Sequence, residues 1–165
     1  MRILLLNWRD LKNPRSGGAE VVTEEVAKRL VLRGHSVTLF TTSFLGAASE
    51  EVVDGYQVIR RGREYTVHLW AFYFWMTQFR TQKFDVVVDQ VHGIPFFTPL
   101  YIRKAKVVAF IHEVAREIWL HMYSFPIGRI GYTLEPFFFK PYTKTPFITV
   151  SNATKRDLEA VSIPS

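Results

Sequence analysis

The amino-acid sequence predicts an α/β protein in which helices cover both faces of a mostly parallel β-sheet. A strand–helix–strand unit opens the chain, with an apolar run at residues 3–6, a helical pattern at 19–32 and a β-branched run at 36–42. A unit of this length is a parallel crossover. Two later apolar runs, at 84–88 and 107–111, are continuous rather than alternating, which is typical of parallel strands buried on both faces.

Composition places the chain among globular proteins, and we expect one domain, residues 1–165. Hydrophobic residues make up 48% of the sequence and charged residues 22%, a balance that excludes a disordered chain. The sequence has no cysteine, which excludes disulfides and thiolate metal sites and leads us to expect a cytoplasmic location. The amino terminus lacks a signal-peptide pattern, and no apolar stretch reaches the roughly 18 residues of a membrane-spanning helix.

The first helix begins at a glycine pair, Gly17 and Gly18, after a polar loop at residues 7–16. A helix start exposes backbone N–H groups at the positive end of the macrodipole, so it attracts phosphate or carboxylate. An ordinary glycine-containing turn explains the pair equally well at this stage. The third glycine of a dinucleotide fingerprint and the lysine of a P-loop are both missing. Their absence disfavours NAD-dependent oxidoreductases and P-loop nucleotidases.

Apolar spacing predicts which side of this helix faces the core. The predicted core stripe consists of Ala19, Val22, Val26 and Leu30, widened by Ala27. The opposite face is assigned to the charged residues Glu20, Glu24, Glu25, Lys28 and Arg29. A left-handed cap at Gly34 is expected to end the helix.

Residues 51–60 predict a β-hairpin, because an Asp-Gly turn at 54–55 separates two short β-like runs. The basic cluster that follows consists of Arg60, Arg61 and Arg63. We interpret this cluster as a solvated turn. Residues 65–82 predict a helix that is apolar nearly all round. Burial of that helix in the core is our first interpretation, and contact of one face with lipid or a partner is the alternative.

Polar residues follow both central strands of the predicted sheet. The first strand leads into residues 89–93, which include His92, and the second leads directly into His112. Open α/β sheets bind ligands beyond the carboxyl ends of their strands. A single histidine there is more often structural, but two neighbouring strands that both end near a histidine favour a site.

The segment at residues 114–143 is rich in aromatic and basic residues. Proline and glycine are expected to break it into short helices or loops. An interfacial patch near a membrane and packing against another domain or a core are equally good interpretations. A last strand at 147–150 and a helix at 153–160, capped by Ser151 or Asn152, complete the predicted elements. Residues 161–165 are expected to carry no element and to begin a linker.

Five sequence blocks occur in an order that is specific when they are taken together. The blocks are RILLLN, NPRSGGAEVVTEEVAKRLVLRGHSVTLFTT, FDVVVDQVHG, VVAFIHEVAREIW and ITVSNATKRDLEAVSIP. With these blocks the chain resembles the N-terminal domain of a GT-B glycosyltransferase, specifically glycosyltransferase family 4. The resemblance implies a Rossmann-like, doubly wound, mostly parallel sheet that forms one half of a GT-B fold.

The resemblance also implies a reaction, the retaining transfer of a sugar, of the hexosyltransferase type, from a nucleotide-sugar donor without a metal or another cofactor. In that family a C-terminal domain holds most of the donor, and the N-terminal domain supplies the acceptor side. The C-terminal domain is absent from this chain, so we expect the 165 residues alone to be inactive.

Individual residues take roles by their position in the family pattern. Gly17 and Gly18 would meet the donor diphosphate through backbone amides, and His112 is the catalytic candidate, beside the transferred sugar. The residues expected on the acceptor side of the cleft are Asn7, Trp8, Asn13 and His92.

The expected partners are a nucleotide-sugar, a glycan or lipid-linked acceptor and the missing C-terminal domain. An anionic membrane surface is a further candidate, suggested by the aromatic and basic residues at 70–75 and 137–144. It would place the protein peripherally on the inner face of the membrane. The alternative function is a non-catalytic Rossmann-like module that binds membranes or glycans. Nucleic-acid binding rests only on the net charge of +6 and is not expected.

Overall fold

A computed structural model describes residues 1–161, so the expectation for residues 162–165 lies outside the described residues. The sheet has seven strands: β1 (Arg2–Leu6), β2 (Ser36–Thr41), β3 (Glu50–Val53), β4 (Tyr56–Arg60), β5 (Val86–Val91), β6 (Lys106–Ile111) and β7 (Phe147–Thr149). Their order across the sheet is β3-β4-β2-β1-β5-β6-β7. Within the described residues β3 pairs antiparallel with β4, and the other pairings are parallel.

Helices connect the parallel strands. They are α1 (Gly18–Leu32), α2 (Val67–Thr77), α3 (Thr98–Tyr101), α4 (Ile118–Met122), α5 (Ile127–Phe138) and α6 (Asn152–Ala160), with 3₁₀ turns at Phe79–Thr81 and Lys140–Tyr142. The predicted α/β class is therefore confirmed, as is the hairpin at 54–55. The predicted caps are confirmed too, because Gly34 has φ +79° and the Ser151 hydroxyl accepts the Thr154 amide.

Alternating side chains of the same strands build the two sides of the core. Leu4 and Leu6 of β1 pack with α2 on one face of the sheet, whereas Ile3 and Leu5 pack with Ala27 of α1 on the other. This is the period-two alternation of a strand covered on both faces. A third cluster, which includes Ile111 and Leu158, lies toward the β6 and β7 end of the sheet.

Helix α1 has its predicted extent, but the predicted core stripe is confirmed only at Ala27 and Leu30 and is wrong at Val22 and Val26. Its buried residues are Glu20, Thr23 and Ala27, while Val22 and Val26 lie on the exposed side. The hydroxyl oxygen of Thr23 lies 2.7 Å from the side-chain oxygen of Gln90 in β5. The helix is therefore rolled so that small and polar residues meet the sheet.

Two predictions about exposure are also wrong. Arg60 is buried rather than solvated, because its guanidinium bonds to Asp10 and lies 2.6 Å from Glu51. Helix α2 is not sandwiched in the core, since only one side of it, which includes Ala71 and Phe74, is buried. Its other side leaves a set of large apolar side chains exposed, namely Leu69, Trp70, Phe72, Tyr73 and Met76.

The segment at 114–143 is more regular than predicted, because α5 continues for 12 residues through the glycines and Pro136 that were expected to break it. Its inward side carries Gly128, Gly131 and Glu135, all buried. Its outward side carries Ile127, Ile130, Leu134 and Phe137, all exposed. In this helix the small and acidic residues face the protein and the large apolar side chains face solvent, which is the reverse of the usual amphipathic arrangement.

Candidate functional site

Three aromatic side chains form a column at the carboxyl ends of adjacent strands. Trp8 follows β1, His92 follows β5 and His112 follows β6, and these strands are neighbours in the sheet. The Trp8 and His92 rings are stacked with centroids 5.6 Å apart and planes 11° apart. The His92 and His112 rings continue the stack at 5.7 Å and 19°. The sheet order thus brings together residues that lie more than 80 positions apart in the chain.

A charged residue covers the outer end of the column. The Arg9 guanidinium lies 4.0 Å from the Trp8 ring centroid, a cation–π contact. The same guanidinium is bonded to the carboxylate of Glu64. Trp8 is therefore clamped between a cation and an imidazole, which fixes the orientation of its ring.

Both histidines in the column are neutral near pH 7. Burial, with smaller contributions from the charges of His112 and Arg9, lowers the pKa of His92 to about 3. Burial also lowers the pKa of His112, against the opposing pull of the Glu20 and Glu113 carboxylates. The Nε2 atom of each ring is buried without a hydrogen-bond partner among the described residues.

A cavity of about 200 Å³ lies beside this column. The strand ends contribute Trp8, His92, Gly93 and His112 to its wall. The segment around α4 contributes Ile118, Trp119, Met122 and Tyr123. Trp119 packs so tightly that an added Cβ at Gly93 would lie 2.9 Å from its ring, and one at Gly131 would lie 2.3 Å from it. Glycine is therefore needed at both positions so that the Trp119 ring can pack against the backbone there.

Two further contacts hold the chain around His112. The hydroxyl of Thr154 donates to the His112 carbonyl at 2.9 Å. The buried carboxylate of Glu135 accepts the backbone amides of Ala115 and Arg116, at 2.8 and 2.6 Å. Helices α5 and α6 thus fix the loop that carries His112 toward α4.

The glycine pair lies exposed at the start of α1. A Cβ added at Gly18 would meet no atom within 4 Å, so the backbone is open to an approaching ligand there. The Gly17 amide differs from the expectation of two bare amides, because it donates to the Glu20 carboxylate at 2.6 Å. A carboxylate already occupies one place in which an anion would bind.

Two of the predicted acceptor residues do not line the cavity. Asn7 is fully buried, and its amide donates to the hydroxyl of Thr23 at 3.1 Å. The side-chain oxygen of Asn13 accepts the amide of Arg15 at 2.9 Å, which closes a turn in the first loop. Both residues support the loop that precedes the glycine pair.

Sequence reasoning missed Glu20, Glu135 and the α4 wall. The Gly-x-x-Glu spacing at 17–20 provides one half of a capping box, in which the glutamate at the third helical position accepts the N-cap amide, and this signal could have placed Glu20 inward. For Glu135 and Trp119 there was no local signal, since their partners lie in other elements.

Residues 1–161 contain neither a metal-binding cluster nor a membrane-spanning helix. No group of three or more His, Cys, Asp or Glu side chains in that range is arranged to hold a metal ion. No helix of that range is both long and apolar enough to span a bilayer.

Comparison with known proteins gives matches of two kinds. A sequence model described as Glycosyltransferase Family 4 matches residues 16–165. A structure of sucrose-phosphate synthase from Thermosynechococcus elongatus is similar with a TM-score of 0.64 and 11% identity, covering 96% of this chain and 81% of that one. A second structure of that synthase is similar with a TM-score of 0.58 and 9% identity, covering 90% of this chain and 47% of the other. At such identities the likeness shows a shared fold. No curated protein matches the sequence.

Proposed function

This chain belongs to glycosyltransferase family 4, and from that premise we propose that it is the acceptor-binding half of a retaining glycosyltransferase. Its Rossmann-like sheet forms one half of a GT-B fold. The proposed reaction moves a hexose from a nucleotide-sugar to a glycan or lipid-linked acceptor without a metal. One observation carries the proposal: the open backbone at Gly18 and a neutral histidine beside a cavity both follow the carboxyl ends of parallel strands in the same sheet.

The start of α1 is proposed to bind the donor diphosphate. Negative charge grows on the diphosphate as the glycosidic bond breaks, and preorganised backbone amides stabilise that charge. Gly18 offers the open approach that this requires, and Gly17 offers a second amide once the Glu20 carboxylate turns away. In the absence of donor, the Glu20 carboxylate therefore occupies the position proposed for the diphosphate at the Gly17 amide.

His112 is proposed to lie beside the transferred sugar. Its lowered pKa keeps the imidazole neutral, so the ring can exchange hydrogen bonds with a sugar hydroxyl without adding a charge. Trp8 and His92 are proposed to meet the acceptor directly, because they line the cavity. Asn7 and Asn13 are proposed to act on the acceptor side through the loop that they support.

The diphosphate site can be tested by NMR titration of the ¹⁵N-labelled chain with inorganic pyrophosphate. We expect the Gly18 amide to shift, and we expect Gly18→Ala to weaken binding at least fivefold while preserving the fold, since the added methyl meets open space. Asn152→Ala is the matched control, because Asn152 is likewise the first residue of a helix. Shifts that avoid the α1 start, or equal affinities in the two variants, would overturn the assignment.

The proposed binding of donor and acceptor by different domains gives a second test. Most of the donor is proposed to be bound by a C-terminal domain, so the purified 165-residue chain should release no nucleoside diphosphate from nucleotide-sugars. Measurable transfer by this chain alone would contradict that part of the proposal.

Peripheral membrane docking is a second candidate function, and the inverted helix α5 favours it. Its exposed stripe of Ile127, Ile130, Leu134 and Phe137 is flanked by the cations Arg129 and Lys140. The only carboxylate of α5, Glu135, is buried. An apolar stripe with positive flanks suits an anionic bilayer, where each cation near the surface contributes about 1 kcal/mol.

Co-sedimentation with vesicles tests this docking. We expect binding to vesicles that contain phosphatidylserine and less binding to pure phosphatidylcholine. Ile130→Glu should reduce the bound fraction severalfold. Val21→Glu in α1 is the control, since Val21 and Ile130 have similar exposed fractions of 46% and 53%. Equal recovery with both vesicle types, or equal effects of the two variants, would exclude α5 as the docking surface.

A further inference from the structure

The side chain of Arg9 lies between the ring column and the residues that precede the glycine pair. Its guanidinium carbon is 4.0 Å from the centroid of the Trp8 ring, which lines the cavity. At the same time its Nη1 atom donates to the backbone carbonyl of Arg15 at 2.8 Å, two residues before Gly17. One side chain therefore contacts both the wall of the cavity and the loop that leads into α1.

The carboxylate of Glu64 fixes this guanidinium in place. Its Oε1 atom accepts from Nε of Arg9 at 2.8 Å and also from Nη2, and its Oε2 atom accepts from Nη1 of Arg15 at 2.7 Å. The Arg9 and Glu64 side chains are only 15% and 21% exposed, whereas the Arg15 side chain is 70% exposed. Water and salt screen a partly buried pair less than a surface pair, so the contact between Arg9 and Glu64 is the stronger of the two.

This set of contacts needs the planar fork of an arginine. Three nitrogens of Arg9 are engaged as donors while its flat cation covers an aromatic ring. A lysine would keep the positive charge near Trp8, but it has a single nitrogen in place of the fork. Arg9→Lys therefore separates the charge of this residue from its geometry.

A second arginine holds the same loop in a different way. Arg60 is buried, and its side chain bonds to Asp10, Glu51 and the carbonyl of Ala48. These partners stabilise the loop against the edge of the sheet. Arg9 differs because its partners lie at the two proposed ligand sites.

We propose that Arg9 is a positioning residue that couples the diphosphate site at the start of α1 to the Trp8 ring at the cavity, with Glu64 as its anchor. A diphosphate that binds the amides of the glycine pair displaces the Arg15 carbonyl, and Arg9 transmits this displacement to the Trp8 ring. Coupling between two binding sites is reciprocal, so a ligand that orients Trp8 also favours diphosphate binding. The inference rests on the proposed function and adds a physical link between its two sites.

The first test needs no ligand and uses the ¹⁵N-labelled chain. Arg9→Lys should shift both the Trp8 indole signal and the Gly18 amide signal, because the fork of Arg9 holds the chain at both places. Glu64→Gln should shift the same two signals, since it weakens the anchor of Arg9. This second variant decides the question if Arg9→Lys does not fold.

Arg29→Lys is the matched control for this test. Arg29, in the last turn of α1, also bonds to a carboxylate and a backbone carbonyl, both of Glu25. The control should leave the two reporter signals in place. A shift of only one signal in the Arg9 variant, no shift of either, or equal shifts in the control would overturn the inference.

Pyrophosphate tests the transmission between the two sites. In the native chain the Trp8 indole signal should follow the same titration curve as the Gly18 amide signal. In Arg9→Lys the Trp8 shift should become severalfold smaller while Gly18 still titrates. A Trp8 signal that does not move in the native chain while Gly18 titrates, or one that moves equally in Arg9→Lys, would overturn the coupling and leave the diphosphate site intact. Absence of pyrophosphate binding would overturn the diphosphate site and the coupling together.

Discussion

Helices α1 and α5 each bury a glutamate, and the two carboxylates serve different purposes. Glu135 in α5 accepts two backbone amides from the loop after β6, in an interior position with no exposure. Glu20 in α1 accepts one amide, that of Gly17, at an open helix start. Burial and amide bonding are common to both, so neither property alone identifies a functional group.

What separates the two glutamates is whether another anion could take their place. The amides that Glu135 accepts are held by a carboxylate that has no exposed surface. The amide that Glu20 accepts lies beside Gly18, where the backbone meets open space. We infer that Glu135 is a structural residue, whereas Glu20 holds a position that a ligand can exchange. The predictions below test this difference.

The largest expected effect is the loss of stability in Glu135→Ala. Two buried amides would lose their acceptor, and we expect the free energy of unfolding to fall by roughly 3 kcal/mol. Urea unfolding followed by circular dichroism measures it. Glu117→Ala is the control, because Glu117 lies in the same region but is exposed; its effect should stay within about 0.5 kcal/mol. Similar losses in both variants would refute the structural role of Glu135.

The ring column of Trp8, His92 and His112 predicts that the stability of the fold decreases in acid. The folded-state pKa of His92 lies at about 3, below its unfolded value near 6.5. Between these values the unfolded chain binds a proton that the folded chain does not, so stability falls as pH decreases. The slope from His92 should approach about 1.4 kcal/mol per pH unit. His92→Gln should flatten the loss between pH 7 and 5, and an unchanged slope would contradict the assignment.

The fold was predictable because its strands carry their own signal. The continuous apolar runs identified the central strands, and the Asp-Gly turn and Gly34 identified where elements end. The roll of α1 was not predictable from apolar spacing, because Thr23 is drawn inward by a side chain of β5 that is 67 residues away. Arg60 was misassigned for the same reason, since its partner Asp10 lies in another loop.

The candidate site was predictable in part. His92 and His112 could be proposed together because both follow buried parallel strands, and sheet order then brings such ends side by side. The α4 wall could not be proposed, because Trp119 reaches the cavity by packing on glycines at positions 93 and 131. Long-range packing of this kind leaves no periodic pattern in the sequence.

A smaller effect is expected at the other glutamate. Glu20→Gln should cost about 0.5–1 kcal/mol of stability, the usual cost of weakening a helix cap. Because the competing charge is removed from the Gly17 amide, the affinity for pyrophosphate should rise severalfold in the titration described above. Glu135→Gln should leave that affinity unchanged. Weaker pyrophosphate binding in Glu20→Gln would mean that the carboxylate organises the site rather than occupying it.

The smallest effect concerns the pKa of His112. The charge of Glu20 raises this pKa against the dominant lowering by burial. Removing that charge in Glu20→Gln should therefore move the His112 titration to lower pH, and the same change at Glu135 should not. The histidine ring signals, followed by NMR from pH 4 to 8, measure both variants. A movement of the titration to higher pH, or an equal movement in the two variants, would show that Glu20 at the start of α1 and His112 in the ring column are not electrostatically coupled. In that case the comparison between the two glutamates would rest on geometry alone.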